Sequence, residues 1–280
     1  MLQTRKPLLV VELKPDDPNL ASYVKIVKPY VDAVRLTALK NTADLQDPDR
    51  TAEQICFESA TSIARNANLD VIASLVCRDH PRDDGQILSD LKQAGVHNLL
   101  ALYGDPNDAP YPNRYEFQTS GQLIRWVRKQ ESTDLADRFC IAVGSDPTSK
   151  DLTKQLSTLR EKREAGADLA ITQPIFQADH AAESLEALTA ADETLPTLIG
   201  LLVPRSEKTI TFLEKRLGVI IPATVKERMK TGGIAEGLEV VREVYRTLWT
   251  RAAGFYIYPW ADPELEIVTI LLQELRQRGS

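Results

Sequence analysis

Short apolar runs alternate with amphipathic segments along the whole chain. Each run is almost continuously apolar and is bounded by turn residues, which is typical of strands that are buried on both faces. The strand candidates are Leu8–Leu13, Ala33–Leu39, Val71–Cys77, Asn98–Tyr103, Phe139–Val143, Leu169–Ile175, Leu198–Val203 and Gly254–Tyr258. The helix candidates are Asn19–Val31, Arg50–Asn66, Asp84–Ala94, Gly121–Lys129, Ser149–Ala165, Ala181–Ala191, Ser206–Leu217, Ala235–Ala252 and Pro263–Arg278.

This alternation predicts an α/β protein, a (β/α)8 or TIM barrel. About eight strand–helix units in 280 residues match the count and length of that fold. A doubly wound open sheet uses the same local patterns and is the alternative. The barrel is favoured because the count closes at eight and no GxGxxG motif follows the first strand. No linker, repeat or charge block divides the chain, so residues 1–280 are predicted to form a single domain.

Composition narrows the class of protein. The formal net charge of −6 argues against a nucleic-acid or anionic-membrane partner. No apolar run approaches the roughly 20 residues that span a bilayer, so a soluble, cytoplasmic protein is expected. The histidines show no metal-ligand spacing, and no metal site is expected. Cys56, Cys77 and Cys140 lie among apolar residues, which predicts buried thiols. The oligomeric state cannot be read from the sequence.

The fourth strand candidate ends in an acidic turn. The run NLLALYGDPN, residues 98–107, passes from apolar residues into Gly104 and Asp105, and Pro106 prevents an immediate helix. Asp105 is therefore predicted at the carboxyl end of a buried strand, where barrels handle their ligands. The alternative is an ordinary turn aspartate.

Three more polar or aromatic residues stand in apolar strands. Glu12 interrupts the apolar run of the first strand. Burial at this position favours the protonated form of its carboxyl group, which is the form that a general acid needs. The alternative is a structural glutamate that pairs with Lys14 or Arg35. Gln173 carries an amide that suits the mixed edge of a flat heterocycle, or it is a satisfied core amide. Tyr256, together with Tyr258 and Trp260, could stack on an aromatic ligand or pack in the core.

Several segments resemble the catalytic barrel of methylenetetrahydrofolate reductases. They are VELKP around Glu12, NLLALYGDP, LREKREAGADLAITQPIF and LIGLLVP, and the resemblance runs from about Leu8 to Trp260. It implies a (β/α)8 barrel that reduces 5,10-methylenetetrahydrofolate to 5-methyltetrahydrofolate. The reductant in the family is NAD(P)H, usually with FAD as intermediary.

The resemblance also implies roles for single residues. Glu12 matches the catalytic acid that protonates N10 and opens the five-membered ring, giving a 5-iminium cation that accepts hydride. Asp105 matches the aspartate that holds the pterin, Gln173 matches the glutamine that contacts the folate, and Thr37 matches a threonine at the end of strand two. Tyr256 is grouped with these substrate contacts.

The departures from the family pattern fall on the flavin side. They comprise Ala38, Ser74 to Cys77, Tyr103 before Gly104, Thr119 and Ser120, a shortened loop at residues 144–147, and Gln155, Thr158 and Glu161 in the next helix. Of the helix residues that grip the cofactor in relatives, only Lys162 remains. Glu161 replaces an arginine and would place like charge beside a pyrophosphate. The flavin is therefore expected to bind weakly or not at all.

The positions assigned to a cofactor are Ser74, Tyr103, Gly104 and Lys162. Farther along, Lys208 falls where relatives use a phenylalanine against the folate.

The leading hypothesis is a divergent reductase in which hydride passes directly from NAD(P)H to the folate. One alternative is an FAD-dependent member of the family with a rebuilt flavin site. The other is a non-catalytic, folate-binding or accessory barrel. The sequence does not distinguish NADH from NADPH, or folate from a related pterin.

Overall fold

The computed structural model describes residues 6–37, 52–77, 85–104, 117–131, 137–190, 195–260 and 265–279. Eight strands form a closed barrel in chain order, from β1 to β8. The strands are β1 Leu8–Leu13, β2 Ala33–Leu36, β3 Asp70–Val76, β4 Asn98–Leu102, β5 Cys140–Ser145, β6 Leu169–Pro174, β7 Thr197–Leu201 and β8 Gly254–Ile257. The predicted (β/α)8 barrel is confirmed, and the open-sheet alternative is excluded.

Helices follow the strands as the amphipathic segments predict. In the described part of the chain they are α1 Leu20–Val27, α2 Ala52–Ala67, α3 Gln86–Gln93, α4 Ser120–Gln130, α5 Leu152–Glu164, α6 Ala178–Ala190, α7 Glu207–Phe212, α8 Ala223–Met229, α9 Gly233–Leu248 and α10 Glu266–Arg278. A π-helical turn, Leu213–Leu217, continues α7 directly. The pattern analysis missed α8, a short helix that begins after Pro222. No helix among the described residues is long and apolar enough to cross a membrane.

The strands are buried because they are apolar on both faces. Every residue of β2, β7 and β8 is buried, and so are all residues of β3 after Asp70. Parallel pairs with regular register connect β2 to β3, β3 to β4 and β7 to β8. Continuous burial of this kind is expected for strands whose two faces are both covered.

Two compact units can be distinguished in the chain. The first, here the carboxyl unit, comprises Met1–Val11, Ser145–Leu159 and Ala170–Ser280, and the second, the amino unit, comprises Glu12–Gly144 and Arg160–Leu169. In the carboxyl unit, apolar side chains from α7, α8 and α9 form one core, with Ile210, Val225 and Val240 among its members. In the amino unit, the buried residues of β3 and β4 lie side by side. The assignment of residues 1–280 to one domain stays a prediction.

One cysteine departs from the sequence prediction. Cys56 and Cys77 are buried, but Cys140 is exposed. Cys140 is the first residue of β5, and the apolar burial of that strand begins only at Ile141. Burial raises the pKa of the Cys56 thiol to about 11, whereas the prediction of a buried thiol at Cys140 is wrong.

Candidate active site

The carboxyl end of β1 carries an ion pair. Nη1 of Arg35, on β2, lies 2.5 Å from Oε2 of Glu12. The Arg35 side chain is 9% exposed and that of Glu12 is 19% exposed, so the carboxylate reaches solvent while its partner does not. Just past β2, the Thr37 amide donates to the carbonyl of Leu13 at 3.0 Å. The amino unit therefore brings Glu12, Arg35 and Thr37 together.

This pairing is one of the two structural alternatives that the sequence left open for Glu12. The guanidinium gives the Glu12 carboxylate a charged partner on the next strand. A half-buried, partly solvent-exposed glutamate with a fixed cationic partner can therefore stabilise the fold and still exchange a proton with a bound molecule.

The neighbouring strand ends show where other predicted residues lie. Ser74 is buried on β3, and its hydroxyl donates to the carbonyl of Leu36 at 2.7 Å. Tyr103 is 42% exposed just after β4, and Gly104 has a φ of +95°, which a residue with a side chain rarely adopts. Gly104 thus makes the sharp exit that the sequence predicts, and Asp105 lies outside the described residues.

The amino terminus of α4 is occupied by a side chain of the protein. The Thr119 side chain caps the helix by accepting from the Gln122 amide, and its hydroxyl donates to Oε1 of Glu161 at 3.4 Å. The same carboxylate lies over Gly121, where a Cβ would come within 2.8 Å of Oε1. The first turn of α4 has no acidic residue of its own, so Glu161 supplies the negative charge that a helix amino terminus favours.

Lys162 points to the protein backbone. Its Nζ donates to the carbonyl of Gly144, at 2.7 Å. Burial lowers the pKa of Lys162 below that of a solvated lysine, and the neighbouring charge of Glu161 opposes this shift. A phosphate group at the α4 terminus would therefore meet the Glu161 carboxylate as a like charge, and Lys162 uses one of its hydrogen bonds on the Gly144 carbonyl.

One buried amide on α5 lacks a partner. Gln155 is 9% exposed, and neither its amide oxygen nor its amide nitrogen has a hydrogen-bond partner in the described part of the protein. A buried amide that makes no hydrogen bond costs free energy. A ligand or water that forms hydrogen bonds with the Gln155 amide would therefore lower the free energy of the protein. Because the amide is neutral, it does not select between charged and uncharged ligands.

A bulge in β6 positions Gln173. The parallel register between β6 and β7 shifts between Ile171 and Pro174. At the shift, the Gly200 amide donates to Oγ1 of Thr172 at 2.8 Å, and the Thr172 hydroxyl donates to the Gln173 carbonyl at 2.7 Å. Thr172 is buried whereas Gln173 is exposed, so the bulge turns the Gln173 side chain outward near the carboxyl end of its strand.

Gly200 makes this bulge possible. A Cβ at Gly200 would lie 2.5 Å from the Gln173 carbonyl oxygen and 2.6 Å from that of Thr172. Both contacts are with backbone, so they cannot be relieved by a side-chain rotation. We predict that Gly200→Ala lowers the free energy of unfolding by about 1–3 kcal/mol, as overpacking does, measured by urea denaturation.

Gly144→Ala is the matched control for this substitution. A Cβ at Gly144 meets no atom of the described residues within 4 Å, and the φ of Gly144 is not left-handed. This control should be neutral or slightly stabilising, since alanine restricts the unfolded chain. Equal unfolding curves for the two variants would contradict the close approach at Gly200.

Tyr256 lies in the core of the carboxyl unit. Its ring is 1% exposed and meets the Tyr258 ring edge-on at a centroid distance of 4.7 Å. The Tyr258 hydroxyl donates to the Thr172 carbonyl at 2.9 Å, which ties both rings to the bulge beside Gln173. Of the two alternatives for Tyr256, the structure shows core packing, and a direct substrate contact stays a prediction.

Sequence reasoning did not foresee the bulge at Thr172 or the contact between Glu161 and Thr119. A threonine beside the predicted glutamine was the available signal for the first, and the charge reversal at Glu161 was the signal for the second. No group of three or more histidine, cysteine or acidic side chains with metal-binding geometry occurs among the residues that the structure describes.

The chain resembles known proteins in sequence and in fold. Methylenetetrahydrofolate reductase 2 of Schizosaccharomyces pombe is 26% identical over 197 residues, which cover 60% of this chain and 30% of that protein. A probable methylenetetrahydrofolate reductase (NADH) of Oryza sativa subsp. japonica is 23% identical over 223 residues, 69% of this chain and 36% of that protein. The chain thus spans about a third of the length of these relatives. A crystal structure of a putative phosphonomutase from Burkholderia cenocepacia J2315 shares the fold, with a TM-score of 0.52, 16% identity, and coverage of 97% of this chain and 93% of that one.

The sequence profile of one family covers most of the chain. The family is described as methylenetetrahydrofolate reductase, and the match runs over residues 34–246. The match contains Thr37, Asp105, Gln173 and Lys162, while Glu12 and Tyr256 lie outside it. The matched region runs from β2 into α9, so it includes five of the eight barrel strands in full, β3 to β7, and all of β2 except Ala33. The chain therefore belongs to the methylenetetrahydrofolate reductase family.

Proposed function

We propose that this protein reduces 5,10-methylenetetrahydrofolate to 5-methyltetrahydrofolate with hydride taken directly from NADH or NADPH. The observation that carries the proposal is the Glu12 carboxyl group. It lies at the carboxyl end of β1, partly exposed and held by Arg35, in a barrel of this family. Catalytic residues of such barrels come from the carboxyl ends of strands.

Glu12 is the proposed general acid. It donates a proton to N10 of the folate, the bond between N10 and the one-carbon unit breaks, and a 5-iminium cation forms. The hydride of the nicotinamide ring then adds to the iminium carbon, which gives the 5-methyl group and the oxidised nucleotide. Arg35 stabilises the Glu12 carboxylate that remains, and solvent returns its proton.

The folate contacts are proposed at Gln173, Asp105 and Thr37. The exposed amide of Gln173 can donate and accept along a pterin edge. Thr37 follows β2 and is bonded through its amide to Leu13, the residue after Glu12. Tyr256 stays a predicted substrate contact, and its ring packs against the Tyr258 ring beside the bulge.

The nucleotide contacts are proposed near the end of β4. Tyr103 is exposed there, and Gly104 leaves room for close approach of a ring. Ser74 and Lys162, the other two positions that the resemblance assigns, use their polar atoms on Leu36 and Gly144. Direct transfer requires the nicotinamide carbon and the iminium carbon to lie about 3–3.5 Å apart.

Independence from FAD is supported by charge. The carboxylate of Glu161 lies at the α4 terminus, where it would repel a pyrophosphate. An FAD-dependent reductase with a flavin site built elsewhere is the second candidate, and a non-catalytic folate-binding barrel is the third.

The proposal is tested by turnover without added flavin. Purified protein is mixed with methylenetetrahydrofolate and NADH, or NADPH, under anaerobic conditions, and 5-methyltetrahydrofolate is quantified by mass spectrometry. The expected result is stoichiometric methyl product and oxidised nucleotide. Product only after FAD is added would favour the second candidate, and folate binding with no product under either condition would favour the third.

A further inference from the structure

Arg35 is a charged residue in a strand that is otherwise apolar. Strand β2 has the sequence AVRL, all four of its residues are buried, and Arg35 itself is 8% exposed. In the register with β3, Arg35 lies opposite Ile72, which is also buried. A buried guanidinium costs free energy unless it is paired and hydrogen-bonded. The ion pair with Glu12 therefore explains how β2 tolerates this cation, but not why the cation is there.

A stabilising role is a weak explanation for Arg35. Replacing a buried ion pair with apolar side chains of similar volume is often neutral or even stabilising, because the two charges no longer have to leave water. An apolar side chain at this position would simply continue the run between Val34 and Leu36. The arginine is better explained by its effect on Glu12, the acid that it contacts on the neighbouring strand.

The two strands fix the guanidinium relative to the acid. The Thr37 amide, just after β2, donates to the carbonyl of Leu13, the last residue of β1, at 3.0 Å. Nη1 of Arg35 lies 2.5 Å from Oε2 of Glu12, and the Glu12 side chain is the more exposed of the two, 19% against 9%. A glutamate side chain has several rotatable bonds, each with its own set of rotamers. Contact with a buried cation held by its strand restricts the directions in which the Glu12 carboxyl group can point.

We propose that Arg35 is a positioning residue for the reduction of methylenetetrahydrofolate. Its role rests on the proposed function, because the direction of the Glu12 carboxyl group matters to catalysis only if Glu12 transfers a proton. Arg35 acts through Glu12 and keeps its own protons throughout, since a guanidinium is not deprotonated in proteins. By holding Oε2, it makes the acid deliver its proton to N10 from a fixed direction and distance.

The test is the kinetic effect of Arg35→Met, alone and combined with Glu12→Gln, with methyl product quantified by mass spectrometry. The single variant should lower kcat by about ten- to a hundredfold, as displacing a reacting group by roughly 1 Å does. KM for the folate should change little, because Arg35 acts on the acid and not on the substrate. In the Glu12→Gln background, Arg35→Met should change kcat by less than about twofold, because the arginine then has no acid to position.

Further variants separate positioning from folding. Arg35→Met leaves a partly buried carboxylate without this partner and should lower the urea midpoint, whereas the double variant removes both charges and should unfold nearer to the wild-type midpoint. Arg35→Lys keeps the charge but not the planar fork, so it should stay folded and lose less kcat than Arg35→Met.

Arg242→Met is the matched control. Arg242, on α9, is 22% exposed and pairs with Glu239 and Glu274, outside the barrel strands. Its replacement should lower the urea midpoint and leave kcat unchanged.

Wild-type kcat in Arg35→Met would overturn the positioning role. A loss as large in the Glu12→Gln background as in the wild type would also overturn it, because the arginine would then act independently of the acid. If Glu12→Gln lowers kcat and Arg35→Met does not, only the role of Arg35 fails. If Glu12→Gln is fully active, the acid is misassigned and the proposed mechanism fails with it.

Discussion

Replacing Glu12 with glutamine should lower the rate of methylenetetrahydrofolate reduction by about a hundred- to ten-thousand-fold, the range that a positioned general acid contributes. Glutamine keeps the shape of the side chain and an oxygen that can accept a hydrogen bond from Arg35. Its amide has no acidic proton that could be transferred to N10. The fall should appear in kcat, with little change in KM, because binding of the folate depends on other contacts. The measurement is steady-state turnover with the monoglutamate substrate.

The variant should stay folded. Loss of the charge on Glu12 weakens one hydrogen bond to a guanidinium, which costs about 1–2 kcal/mol of stability. Urea denaturation of the purified variant measures that cost separately from activity. Glu12→Asp, which keeps the acid on a shorter side chain, should retain more activity than Glu12→Gln.

Glu274→Gln is the matched control. Glu274, on α10, pairs with Arg242 on α9, and the two side chains are 27% and 22% exposed, against 19% and 9% for Glu12 and Arg35. Its loss should cost similar stability and leave turnover unchanged. A fully active Glu12→Gln enzyme would refute the acid role, and an inactive Glu274→Gln enzyme would show that ion-pair loss alone explains the effect.

The second prediction with a large effect concerns the visible absorption spectrum of the protein. The protein as purified should show no flavin absorption band in the visible range, and prolonged incubation with FAD followed by desalting should leave it colourless. The reason is local charge: Glu161 occupies the α4 terminus and Lys162 is engaged by Gly144. A yellow protein with one FAD per chain would contradict direct hydride transfer while leaving the family assignment intact.

Charge reversal tests that reason. Glu161→Arg should strengthen FAD binding by about tenfold, or ~1.4 kcal/mol, because a repulsion becomes a charge-assisted contact. Glu164→Arg adds the same charge on α5 at an exposed position outside this contact and should have no such effect. If both variants bind FAD equally, general attraction rather than the α4 terminus governs the affinity.

Much of the fold could be predicted because buried parallel strands appear in the sequence as continuous apolar runs. All eight strands were found, although β3, β5 and β7 are displaced from their predicted bounds by one or two residues. Pairing of Glu12 with Arg35 was also among the alternatives that the sequence analysis named. A charged side chain in a buried strand needs a partner of opposite charge, and few such residues occur in the adjacent strands. Helix α8 was missed because a helix of seven residues carries too few turns for a periodic signal.

The finer features of the site depend on distant residues and could not be predicted. The outward turn of Gln173 depends on Thr172 and on the absence of a side chain at Gly200, 27 positions farther along. The charge reversal at Glu161 was visible, but its contact with Thr119 across 42 positions was not. Cys140 was misassigned because an apolar neighbourhood in sequence does not determine which residue begins the buried part of a strand.

Deuterium transfer tests the central claim most directly. NADH and NADPH deuterated at C4 on the transferred face are mixed with methylenetetrahydrofolate and flavin-free protein in ordinary water, and the 5-methyltetrahydrofolate formed is analysed by mass spectrometry. Direct hydride transfer predicts one deuterium in every methyl group formed. Methyl product without deuterium, or no product until FAD is supplied, would contradict it.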